Sequence, residues 1–178
     1  MSVLPEAALK YVGVESEEEI AVDPVERGQV RRHAQAIGDE DPIYWAPCEA
    51  NQRYGGPVAQ PFFPVHMFRR HYGTEDPVEA NASDPDYDGA LKVRGGLPEI
   101  EPLTHMPVMN GGSEIEFFRL ARHGETVKLK ARYASITEKE TSKGPIILIV
   151  SETDYLTGDG ELLVRQRHTR IRKPVVKK

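Results

Sequence analysis

A single cysteine, Cys48, is all the thiol this 178-residue chain has, so it can build neither an internal disulfide framework nor a multi-cysteine metal site. Long hydrophobic runs are missing as well. No window approaches the roughly 18 uninterrupted apolar residues of a membrane span. The N-terminal stretch MSVLPEAALKYVGVESEEEI has no charged region followed by an apolar one, so it does not read as a secretory signal. Excess positive charge is absent: the formal net charge is −5, which gives no electrostatic pull toward nucleic acid or an anionic membrane. No HExxH, no GxSxG and no Gly-rich phosphate loop occurs. The six histidines make no metal spacing; His66 and His71, five apart, do not share a helical face. These absences predict a cytoplasmic protein with no metal, no nucleic-acid partner and no membrane partner.

What is present suits a packed fold. Hydrophobic residues make up 39% and charged residues 29%, which predicts one domain over 1–178. PEAALKYV reads as a short helix stopped at Gly13, and EEEIAVDP as a strand. In VERGQVRRHAQAIG, Val30, Ala34 and Ile37 recur at spacings of four and three, a stripe on a helix that ends at Gly38. EANQRYGG is a short helical piece. VAQPFFPVHMFRRHY then predicts a buried central helix, with Pro61 and Pro64 in its first turn and Val65, Phe68 and Tyr72 along it. Residues 73–107 are rich in Pro, Gly, Asp and Asn and lack a period, which predicts a long loop insertion serving as a lid or a contact. After it come four β-rich runs separated by the turn signals HG, SKGP and GDG. Val127, Leu129, Ala131 and Tyr133 alternate with Lys128, Lys130 and Arg132, as a half-buried strand does. Helices followed by antiparallel strands make the expected class α+β. The tail 173–178 is expected to fray. Arg165, Arg167, Arg170 and Arg172 read most simply as a solvated sheet edge.

Three stretches, VERGQVRRHAQAIGDEDPIYWAP, GGPVAQPFF and NGGSEIEFFRLARHGETVKL, resemble the MaoC-like hot-dog family. The resemblance runs from about Val25 to about Arg172 and is narrower still to the N-terminal, non-catalytic half or subunit of enoyl-CoA hydratases. It implies a hot-dog, a central helix wrapped by a curved antiparallel sheet. Catalytic relatives carry GD-x-N-P-[LIV]-H, whose Asp and His activate the water that adds across an enoyl thioester. Here Gly38-Asp39 and Pro42-Ile43 match, Asp41 stands for the Asn, and Tyr44 stands for the His. A phenol with a pKa near 10 cannot accept a proton at neutral pH as an imidazole does. Near Pro61 such relatives commonly have Gly, with a main-chain N–H facing the thioester; proline has none.

The resemblance therefore implies a supporting subunit that shapes an acyl-CoA groove beside a smaller catalytic MaoC-like hot-dog subunit. Asp39 is the one candidate catalytic residue, and it reads equally as a vestigial turn residue. Tyr44, Trp45, Phe62, Phe63 and His66 are the candidate substrate-binding residues. No cofactor is expected, since coenzyme A arrives as part of the substrate. Two other readings stay open: a self-sufficient homodimeric hydratase in which Asp39 works with a histidine such as His66, and a non-catalytic acyl-CoA-binding protein.

Overall fold

Alternation of side chains builds the sheet. The computed structural model describes residues 2–85 and 95–174. Within them the strands are β1 (Glu19–Ile20), β2 (Val108–Phe117), β3 (Val127–Lys139), β4 (Ile146–Thr157) and β5 (Leu162–Arg172). They form one antiparallel sheet in the order β1-β3-β4-β5-β2. The last three strands are a hairpin-linked meander, as their turn signals predict, whereas β2 joins the far side of β5. The basic strand β5 is thus flanked on both sides rather than being an edge. Its Arg165 holds Asp154 of β4 through two bonds of 2.6 and 2.7 Å, and Arg167 reaches Glu152 at 2.8 Å. These arginines answer carboxylates on neighbouring strands, a pairing that no reading of one strand alone can reveal.

On its inner face the sheet carries two buried clusters. The first joins Val127, Leu129, Tyr155 and Val164 to Val30 of helix α1 (Arg27–Ile37) and to Ile43, Phe63 and Met67; Ala34 of α1 is buried as well. Helix α1 ends where glycine is required, at Gly38 with φ +70°. Ile37, expected on the buried stripe, is 58% exposed, because the chain turns away after Ala34 completes the contact. The second cluster joins Ala131, Tyr133, Ile136, Ile147 and Ile149 to Leu97, Ile100, Leu103 and Met106.

Two expectations change. The segment predicted as a buried central helix is a short 3₁₀ turn, Phe63–His66, and Tyr72 is fully exposed. Pro64 is the reason: in an α-helix begun at Pro61 its missing N–H would face the Gln60 carbonyl, and its ring would clash there. That carbonyl instead accepts the Phe63 N–H at 2.9 Å, the tighter 3₁₀ spacing. The second change concerns 73–107. Helix α2 (Pro77–Ala80) interrupts it, and Leu97, Ile100, Leu103 and Met106 are core rather than lid. Part of the expected insertion, residues 86–94, lies outside the described residues, as does much of the tail.

Candidate functional site

Asp39 follows the glycine that closes α1, and its N–H still bonds the Ala34 carbonyl at 2.9 Å. Its carboxylate accepts the Asp41 N–H at 3.2 Å, and the Asp41 carboxylate accepts the Ile43 N–H at 3.0 Å. Each Asp thereby fixes the residue two positions on, the local bond that makes Asp a turn former. The two turns swing Tyr44 inward, where it is 7% exposed and lies within the field of the Asp39 and Asp41 carboxylates. Burial first, then the charges of Asp39 and Asp41, push the phenol up to about 12. At neutral pH it is a donor and cannot serve as a base.

Asn51 locks this segment from below, and sequence reasoning did not single it out. It is 1% exposed. Its Nδ2 donates to the carbonyls of Ile43 at 3.2 Å and Ala46 at 2.9 Å, while Oδ1 accepts the Cys48 N–H at 3.1 Å. Trp45 and Tyr54 pack at the border of the first core cluster. Beside them an open depression of about 420 Å³ is lined by Pro47, Cys48, Asn51 and Gly55. The signal that was available is an Asn in a short helical piece ending at glycines, where a buried amide can satisfy exposed carbonyls.

The second group of predicted residues lies on the turn Phe63–His66 and its entry. Phe63 is core. Phe62 meets His66 edge-on at 5.4 Å and Phe117 of β2 at 6.5 Å. His66 also stacks at 5.2 Å on His33 of α1. Partial burial, then the charges of His33 and Arg69, hold His66 below the ordinary histidine range. Asp39 and His66 have different partners: the Asp39 carboxylate holds the Asp41 N–H, and His66 packs on His33 and Phe62.

Gln60, just before Pro61, is the other residue the sequence did not flag. It is 3% exposed, yet neither Oε1 nor Nε2 has a hydrogen-bond partner among the described residues. A buried amide left so costs about 1–3 kcal/mol. No cluster of three or more His, Cys, Asp or Glu able to hold a metal occurs among the described residues.

Comparison with known proteins adds three findings. Residues 10–166 match the family described as FAS1-like, dehydratase domain region. No curated protein matches the sequence. Among solved structures, the ChsH1-ChsH2 complex from Mycobacterium tuberculosis is similar with a TM-score of 0.68 and 22% identity, covering 97% of this chain and 92% of that one. The (R)-hydratase from A. caviae involved in PHA biosynthesis gives a TM-score of 0.54 at 13% identity, over 96% and 98% of the two chains. The C-terminally truncated HadBC complex, a 3R-hydroxyacyl-ACP dehydratase from Mycobacterium tuberculosis, gives 0.52 at 16% identity, over 90% and 96%. At such identities the likeness establishes the hot-dog fold.

Proposed function

Since this chain belongs to the FAS1-like dehydratase domain family, we propose that it is the supporting subunit of an (R)-specific enoyl-CoA hydratase or dehydratase, shaping the acyl-CoA groove beside a smaller catalytic hot-dog chain. One observation carries the reading: Tyr44 occupies the place of a base and is a buried phenol that burial and the charges of Asp39 and Asp41 keep protonated. Adding water across an enoyl thioester needs a base for the water, an acid for the α-carbon and donors aimed at the thioester oxygen. The Asp39 carboxylate is already engaged by the Asp41 N–H, and Pro61 has no N–H to offer. Support also comes from the likeness to chains solved as ChsH1-ChsH2 and HadBC complexes.

In this reading Phe62, Trp45 and the exposed Phe117 line the acyl side, no cofactor is needed, and coenzyme A arrives with the substrate. The test uses the purified chain alone with a short and a bulky enoyl-CoA, following both binding and loss of the enoyl absorbance. Binding without turnover is expected. Robust turnover by the isolated chain that Asp39→Asn abolishes would overturn the proposal.

A further inference from the structure

Strand β2 is the long open border of the sheet. β5 takes one side of it, and all 10 of its residues, Val108–Phe117, are exposed. The opposite border, β1, is 2 residues long, so β2 presents most of the unpaired backbone groups at the rims. A border of this length is a template for pairing with another chain. Its regular part is Gly112–Phe117, because the register slips between Asn110 and Gly112.

The two faces of that run differ. On the core side Ile115 and Phe117 stand 37% and 52% exposed, and Phe62 extends the apolar surface. On the other side stand Glu114 and Glu116, and β2 contains no Lys or Arg. Glu116 is ion-paired with Arg167 on β5; Glu114 has no ion pair among the described residues.

We infer that this border pairs with a strand bearing lysine or arginine, and that its two carboxylates bar it from pairing with a second copy of this chain. The inference rests on the supporting-subunit reading above. Directly opposed residues of an antiparallel pair share a face. Pairing two copies about a two-fold axis at Glu114, Ile115 or Glu116 therefore sets a glutamate of one copy opposite a glutamate of the other, doubly so at Ile115, where Glu114 faces Glu116 on both sides. Like charges directly opposite repel, and the symmetry repeats the unfavourable contact. Basic residues at the facing positions of a different chain turn the same contacts attractive. Ile115 and Phe117 favour either pairing, so charge makes the selection.

Sedimentation equilibrium on three proteins tests this: the wild type, Glu114→Gln/Glu116→Gln, and Glu114→Lys/Glu116→Lys. The wild type should be monomeric, and the Gln variant should self-associate about tenfold more tightly, as two removed like-charge contacts imply. An equimolar mixture of wild type and Lys variant should form a one-to-one pair that neither forms alone and that salt weakens. Equal self-association of wild type and Gln variant, or no pair in the mixture, overturns the inference. Acyl-CoA binding without turnover combined with charge-independent self-pairing sinks this inference alone. Turnover by the isolated chain sinks the reading beneath it.

Discussion

Tyr44 shows how one side chain can settle what a turn is able to do. Its folded pKa of about 12 lies above the ordinary value of 10, so the neutral phenol is the form the fold prefers. That preference contributes stability fully below pH 10 and loses it as pH rises through about 12. Tyr44→Phe keeps the buried ring and removes the titrating hydroxyl, so stability at neutral pH should change by no more than about 1 kcal/mol. It should also flatten the alkaline loss, which chemical denaturation at pH 8 and pH 11 would measure. The Gly-Asp-x-x-Pro-Ile-Tyr run made this turn legible in the sequence, down to Asp39 as a turn former. Asn51 left only the faint signal of an Asn in a short helical piece ending at glycines, and Gln60 was not legible, because its burial is set by what surrounds it in space.

At the scale of elements, Glu152 of β4 is the centre of the outer face. Its side chain is 4% exposed, and it receives Arg132 at 2.6 Å and Arg167 at 2.8 Å. Burial alone would raise its pKa; the hydrogen bonds from Arg132 and Arg167 prevail and hold it below the ordinary carboxylate range. Glu152→Gln leaves arginines of two strands, Arg132 of β3 and Arg165 and Arg167 of β5, without their common acceptor, and a loss of about 3 kcal/mol is expected in equilibrium urea unfolding. The strands themselves were readable from alternation. The central helix was misread because Pro64 was placed in a first turn that it cannot extend. The buried stretch 97–106 did carry a signal, an apolar residue at every third position, but that period fits a 3₁₀ turn such as Glu101–Leu103 and neither an α-helix nor a strand.

For the whole molecule, acid is the condition that acts on several contacts together. Glu138 is held low by the Ser2 hydroxyl and the Leu4 N–H, tying the N-terminus to β3. In Glu125, burial is outweighed by the hydrogen bonds from Arg119 and the Arg122 N–H. With Glu152 these carboxylates have folded pKa values below 4.5, so their stabilisation is present above that pH and is lost as pH falls through the folded values. Thermal unfolding should show a plateau near neutrality and a falling midpoint from about pH 4.5 downward. A midpoint unchanged at pH 3 would contradict this network. The α+β class was legible from helices followed by strands, and the hot-dog from the resemblance its motifs carry. The return of β2 to β5 was not, since sequence spacing is silent on which distant strands meet.

The kink in β2 sets a length as well as a direction. A Cβ on Gly111 would come within 2.9 Å of Thr169 Cγ2, and Gly112 holds φ +111°, so glycine is needed at both positions. Beyond them only Gly112–Phe117 runs straight, a ladder of roughly 20 Å. A mate seated along so short a seam gains little from main-chain bonds. It must hold on through the greasy knobs beside it, which makes the seam a sorting device before it is a glue.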